Sequence, residues 1–336
     1  MVKALSLVLL AAFTLAGCGE QVLEFGGPTM GSSYSVKYLS GANGPPVEQA
    51  KAATEAILAE VDQQLSTYRD DSLIARFNAL PANSCQSMPA EVLELLRFGE
   101  QLSQQSAGAF DMTIEPLLNL WGFGPQARAE RVPTASEIAA ARLRIGHQHL
   151  QINGQQLCKD AAVALDFNSI AAGYTVDRIA AKLSELGVGS YLVEVTGELK
   201  AQGQKPDGSP WRIAIEAPLD NQQVVEKILQ LDGYGISTSG DYHNFFERDG
   251  RRYSHTLDPL TGAPIIHNLA QVSVVDRSVQ RADGLSTLLM VLGSERGLAF
   301  AEREGIAALF VSRTEQGFVS HGSSAFTQQF GALEQP

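Results

Sequence analysis

Strands and helices that interleave without a regular βαβ repeat predict an α+β fold, with mixed or antiparallel sheets and flanking helices. Two observations carry this prediction. Asn153-Gly154 and Asp249-Gly250 each separate two short β-prone runs, the signature of tight hairpins and so of antiparallel neighbours. The phosphate motifs of parallel α/β folds are also missing, since neither GxxxxGK[ST] nor a GxGxxG between a strand and a helix occurs.

The elements follow in order. Residues 19–28 read as a short tether, and residues 33–39 alternate as a strand. After a loop at 41–46, apolar residues at Val47, Ala50, Ala53, Ile57, Leu58, Val61 and Leu65 have helical spacing. Residues 90–105 read as a second helix. Thr134 and Glu137 form a capping box for a third at 136–143. Residues 163–167 suit a buried strand, and a helix over 170–186 ends at Gly187. Strand-like runs follow at 191–200, 211–216 and 226–231. The Asp249-Gly250 hairpin comes next, then a strand at 270–275. Helical patterns at 281–292 and 294–304 precede a strand at 306–311, and the polar tail after His321 is expected to fray.

The chain has 336 residues, 44% of them apolar, enough for a sizeable core. The formal charge of −12 argues against nucleic-acid binding, which needs excess Lys and Arg. An anionic nucleotide would then need a metal or helix N-termini to hold it. At the N-terminus, Lys3 precedes an apolar run over 4–16, too short to span a bilayer comfortably. Leu15-Ala16-Gly17-Cys18 has the form of a lipobox. Residues 1–17 therefore read as a lipoprotein signal peptide, Cys18 as the lipidated residue, 18–28 as the tether and 29–330 as the folded domain. Cys85 and Cys158 could pair in an oxidising compartment or stay as small buried residues.

Several clusters could carry chemistry. Asp283 and Thr287 lie four apart in a helical stretch, so both oxygens share one face and suit Mg²⁺; Asp283 would equally serve as a helix-start acid. Asp166 follows a buried strand and precedes a helix, where carboxylates hold ligands or cap the helix. The segment from Ser254 to Pro264 offers His255 as a general base and Asp258 in a tight loop, and the same residues also fit ordinary turn chemistry. Ser237-Thr238-Ser239-Gly240-Asp241-Tyr242 would let backbone approach a ligand. Gly108-Ala109-Phe110-Asp111 precedes Trp121 and Phe123, aromatics that line planar-ring pockets or fill cores. His147 and His149 lack HExxH spacing and read as a polar hairpin pair.

Taken together, the ordered stretches Thr29-Met30-Gly31-Ser32, Leu65-Ser66-Thr67-Tyr68-Arg69, Gly108-Ala109-Phe110-Asp111, Asp166-Phe167-Asn168-Ser169-Ile170, Thr196-Gly197-Glu198, Thr238-Ser239-Gly240-Asp241-Tyr242, Ser254-His255-Thr256-Leu257-Asp258-Pro259 and Asp283 with Thr287 resemble the ApbE family of FAD:protein FMN transferases over residues 25–310. The resemblance implies a two-lobed, T-fold-like α+β architecture with FAD in the cleft. It implies FAD contacts at Met30, Tyr68, Ala109, Phe110, Asp111, Asp166, Ala172 and Leu257. It implies Mg²⁺ held by Asp283, Thr287 and the carbonyl of Ser169, and His255 activating the acceptor hydroxyl. At 172, where family members often carry Lys or Glu, this chain has Ala, which leaves only backbone or apolar contact.

The implied reaction moves FMN from FAD to Thr or Ser of acceptors such as NqrC- and RnfG-like redox subunits, with AMP leaving. FAD hydrolysis to FMN and AMP, or FAD binding without turnover, are the alternatives. A lipid-anchored enzyme of this kind is expected on the periplasmic face of a bacterial membrane, the inner one favoured.

Overall fold

The computed structural model describes residues 21–41, 44–126, 131–219, 224–242 and 244–331. The signal segment and Cys18 lie outside the described residues. Eight strands build the central sheet: β1 (Gln21–Thr29), β2 (Ser32–Ser40), β3 (Tyr191–Val195), β4 (Glu198–Gln202), β5 (Tyr234–Gly240), β6 (Leu269–Asp276), β7 (Ala307–Thr314) and β8 (Gly317–Gly322). They lie side by side in chain order, and every neighbouring pair is antiparallel. The sheet is thus a meander interrupted by insertions, in agreement with the predicted α+β class.

Four helices matter for the site: α1 (Val47–Leu65), α2 (Ala90–Gln105), α3 (Ala171–Glu185) and α4 (Val279–Glu304). α3 packs on β3 and β4, α4 on β5 and β6, and α1 and α2 pack behind them. The largest core lies between these helices and the sheet, where Val36, Val193, Val272, Val274, Val176, Ile179 and Leu288 are fully buried. A second core, around Trp211, Leu229, Leu231 and Phe326, covers the opposite face. A third, around Leu117, Trp121, Phe246 and Leu257, joins the helical insertion to the 245–264 segment.

The capping box is present: Glu137 N donates to Thr134 Oγ1 at 3.3 Å and Thr134 N donates to Glu137 Oε2 at 2.8 Å. Both predicted hairpins form, Leu150–Asn153 with Gln156–Lys159 and Phe245–Arg248 with Arg251–Ser254. The predicted break between 292 and 294 falls at Gly293, the one non-helical residue inside α4.

Five readings are corrected. Residues 21–28, read as tether, belong to β1; Gly26 and Gly27 look loop-like, yet a Cβ at Gly26 would sit 2.5 Å from the Tyr34 carbonyl of β2. Pro28 is tolerated because β1 is an edge strand. The run 191–200 is a hairpin, turning at Thr196-Gly197 with both φ positive. Residues 163–167 join no sheet and make only an isolated bridge from Ala164 to Ile114. The 237–242 segment, whose small polar residues fit a loop after a strand as well as a ligand-facing backbone, is mostly strand β5 itself. The tail does not fray at 321, because helix Ser324–Phe330 buries Phe326 completely.

Cys85 and Cys158 stand opposite each other on neighbouring strands and form a disulfide. No helix of the described residues is long and apolar enough to cross a membrane.

Candidate active site

One end of the meander gathers the turns Met30-Gly31 and Thr196-Gly197. Thr196 N donates to Ser33 O at 2.9 Å, which locks the two turns together. Met30 holds a positive φ of 46° and remains 38% exposed, an apolar side chain presented at the sheet end. Glu198 leaves the second turn beside Ser237 of β5.

The first acid pair forms here. Asp283 lies in the second turn of α4, and its Oδ2 accepts from the Gly173 N–H in the first turn of α3 at 2.9 Å. Only glycine permits this approach, since a Cβ at 173 would lie 2.4 Å from Val279 O and 2.8 Å from Asp283 Cβ. Ser237 Oγ bridges the acids, 3.4 Å from both Asp283 Oδ1 and Glu198 Oε1. Ser286 lies 3.1 Å from Ser237 and 2.9 Å from Ser239, hydroxyl to hydroxyl. Burial, then the Glu198 charge, holds the Asp283 carboxyl well above the usual carboxylate range. Glu198 is also pushed up, chiefly by its desolvated surroundings.

Thr287 follows one turn after Asp283 and is half-buried. Ser169, also half-buried, lies in the turn leading into α3, and Ala172 precedes Gly173. These oxygen donors fit Mg²⁺, and two adjacent acids short of positive partners are the electrostatic setting a cation relieves. Among the described residues no group of three or more His, Cys, Asp or Glu could hold a metal. A cation held here would need hydroxyl and carbonyl oxygens beside the acids.

The second acid pair is Asp166 with Glu115, 4% and 5% exposed. Asp166 accepts from Asn168 N at 2.7 Å and Asn168 Nδ2 at 3.0 Å, while burial pushes its carboxyl up to about 6. Glu115 accepts from Asn78 Nδ2 and Asn119 Nδ2, each at 3.1 Å; it too is raised, by burial first and the Asp166 charge second. Tyr68 is 68% exposed, and burial of its hydroxyl, then the charges of Asp166 and Glu115, raise it.

The 108–111 turn is built inward. Ala109 and the Phe110 ring are buried, and Asp111 ties the turn together, accepting from Thr113 N at 2.8 Å, Thr113 Oγ1 at 2.7 Å and His147 N at 3.1 Å. Leu257 is 3% exposed in the third core. The loop after it meets the turn, because Gly108, Asp111, Pro259 and Leu260 line one hollow of about 520 Å³. His147 and His149 sit in a single 3-10 turn, with His149 Nδ1 2.8 Å from Asp160 Oδ1.

His255 follows strand Arg251–Ser254. Its ring packs edge-on against Phe123 at 6.4 Å, and Phe123 stacks on Phe246, which stacks on Tyr253. Its Nδ1 lies 3.0 Å from the Asn244 carbonyl. A carbonyl only accepts, so in this contact Nδ1 carries a proton and donates it.

Sequence reasoning had quoted Glu198 without giving it a role, and had missed Glu115. The Thr-Gly pair before Glu198 was an available hairpin signal. Glu115, ahead of Pro116, reads as an ordinary acid at a helix start, and nothing local marks it as buried.

The antiparallel scaffold, two pairs of acids with at least one buried member each and the lack of a phosphate-loop motif define a class: an α+β protein whose oxygen-rich site is not of P-loop or Rossmann type. The comparisons with known proteins make this specific. The model of the ApbE family matches residues 30–310. The chain is 43% identical over 325 residues to the FAD:protein FMN transferase of Vibrio cholerae, covering 95% of this chain and 97% of that one. It is 38% identical over 325 residues to the FAD:protein FMN transferase of Haemophilus influenzae, covering 94% of each. The apo crystal structure of Pseudomonas stutzeri flavinyl transferase ApbE matches with a TM-score of 0.88 and 63% identity, over 93% of this chain and 98% of that one. The chain belongs to the ApbE family.

Proposed function

We propose that this enzyme, an FAD:protein FMN transferase, uses Mg²⁺ to move FMN from FAD onto a Thr or Ser hydroxyl of an acceptor protein and releases AMP. The observation that carries the reading is the Asp283–Glu198 pair, a buried and a half-buried acid sharing Ser237 where α3 and α4 meet the sheet.

In the reaction the acceptor oxygen forms a bond to the phosphorus on the riboflavin side. The bond from that phosphorus to the bridging pyrophosphate oxygen breaks, and AMP departs with that oxygen. The hydroxyl proton passes to Nε2 of His255, whose Nδ1 is anchored on Asn244. Asp283, Thr287 and the Ser169 carbonyl would hold Mg²⁺, which supplies charge neutralisation at the phosphates when bound. Met30, Tyr68, Asp166, the 109–111 turn, Ala172 and the Leu257 loop would orient FAD, so the protein's share is largely positioning.

A lipid anchor at Cys18 on the periplasmic face of the inner membrane would keep the enzyme near NqrC- and RnfG-like acceptor subunits. The test incubates protein lacking residues 1–18 with FAD, Mg²⁺ and an NqrC-like acceptor domain, and reads flavin fluorescence on a denaturing gel. A fluorescent acceptor band that EDTA abolishes is expected. A dark band with free FMN and AMP would replace transfer by FAD hydrolysis, and intact FAD would leave binding alone.

A further inference from the structure

Residues 163–167 carry Asp166 at a candidate ligand position, and yet join no sheet beyond the single bridge at Ala164. Something must occupy the backbone groups that a neighbouring strand would pair, because Leu165 is fully buried and no water can serve it. Asn78, near the end of helix Leu73–Ala79, fills that place. Its Oδ1 accepts from Leu165 N at 2.7 Å and its Nδ2 donates to Leu165 O at 2.9 Å, the two bonds of a strand partner made by one side chain. The second Nδ2 proton goes to Glu115 Oε2 at 3.1 Å.

The Asn78 backbone is fixed in turn. Lys159, 2% exposed, donates from Nζ to Asn78 O at 3.1 Å and to Val163 O at 3.0 Å, with its ammonium 4.9 Å over the Phe77 ring. On the far side of the same segment, Asp166 N donates to Met112 O at 2.7 Å.

We propose that Asn78 is a positioning residue for FAD, its carboxamide setting Asp166 and Glu115 in register by standing in for a missing strand. It acts through the Leu165 backbone and need not touch the ligand. The inference rests on the reading that Asp166 contacts FAD.

The choice of an amide is specific. An amide both donates and accepts, whereas a carboxylate only accepts. Asn78→Asp would still accept from Leu165 N–H. Its other oxygen would face Leu165 O and Glu115 with nothing to donate. Glu115→Gln in the same protein returns a donor to that contact and restores the net charge.

The experiment titrates FAD into each purified protein by flavin fluorescence, at a temperature where circular dichroism shows it folded, and measures KM for FAD and kcat in the transfer assay. Asn78→Asp is expected to weaken FAD binding about tenfold or more. The KM should rise while kcat at saturating FAD stays within about threefold. Asn78→Asp with Glu115→Gln relieves the clash at 115 and still leaves Leu165 O without its donor, so it is expected to recover part of the lost affinity and stay at least about threefold weaker than wild type. Asn119→Ala removes the other donor to Glu115 and leaves Leu165 paired, so its affinity should change by less than about twofold. If Asn78→Asp does not fold, Asn78→Ser adds no charge, is titrated in its place and carries the same expectation.

Wild-type affinity in the folded Asn78 variant overturns the proposal. So does an equal loss in Asn119→Ala, which would mark general destabilisation, or unchanged affinity in Asp166→Asn, which would remove the residue through which Asn78 acts. Failure of the transferase reading looks different: wild-type protein that binds FAD, responds to Asn78, and never labels an acceptor.

Discussion

The two acid pairs are built from the same residue types, and their neighbours differ. Around Asp166 and Glu115, amide donors from Asn168, Asn78 and Asn119 supply hydrogen bonds to both carboxylates. Around Asp283 and Glu198, the direct donors are one backbone N–H, the Thr196 hydroxyl and the shared Ser237 hydroxyl, with Ser239 and Ser286 extending that hydroxyl cluster. Hydroxyl oxygens also accept, so this second environment can turn lone pairs toward a cation, which amide N–H groups cannot. The comparison separates a pair suited to a metal from a pair suited to holding an organic ring in register.

The largest effect should come from the metal-type pair. Asp283→Ala is expected to reduce FMN transfer at least about a thousandfold, the size of loss that its proposed role in holding Mg²⁺ predicts. Circular dichroism should show the fold retained. Full transfer by this variant would erase the distinction between the pairs. His255→Asn belongs to neither pair and should lower transfer by about a hundredfold to ten-thousandfold, the usual range for a general base. FAD affinity should stay unchanged. An equal loss of FAD affinity would move His255 from proton transfer to substrate binding.

The disulfide lies behind the amide-rich pair, since Cys158 precedes Lys159, which anchors Asn78. Replacing Cys85 and Cys158 by Ser opens a link between residues 73 apart in sequence, and should cost about 2–4 kcal/mol in denaturant unfolding. Mg²⁺ dependence should be untouched. A changed Mg²⁺ requirement would show that the two pairs are not independent.

How far the sequence revealed these pairs follows from how local each signal is. Asp283 and Thr287 were legible because helix periodicity alone sets their shared face. Asp166 was legible as an acid between an extended run and a helix. Glu198 and Glu115 were not, because their significance lies in partners 85 and 51 residues away. The same holds for the fold. The Asn153-Gly154 and Asp249-Gly250 hairpins and the Thr134 cap depend on adjacent residues and are legible, whereas the Thr196-Gly197 hairpin lies inside a run that reads as one strand. β1 reads as a tether because its glycines and proline answer to an edge position and to β2. The 163–167 segment reads as a sheet strand because hydrophobic pattern reports burial, and cannot say that the neighbour is a side-chain amide.

The smallest predicted effect tests the amide-rich pair through pH. An ordinary aspartate titrates near 3.9 in the unfolded chain, and burial pushes Asp166 up to about 6 in the fold. The folded state therefore binds this proton more tightly than the unfolded state. The stability contributed by the protonated form is fully present below about pH 4 and is lost as pH rises through about 6. The loss is on the order of 3 kcal/mol if the difference of about two units holds at this nearly buried group. Asp166→Asn removes the ionisation. Its melting temperature should exceed wild type by a few degrees at pH 8, with the gap closing toward pH 4. FAD affinity should fall at pH 8, because the amide cannot accept as the carboxylate does, and the difference should narrow toward pH 4, where the wild-type carboxyl is protonated. A gap that stays constant with pH would mean that the amide donors compensate the charge fully, and the contrast with Asp283 and Glu198 would then rest on donor geometry alone.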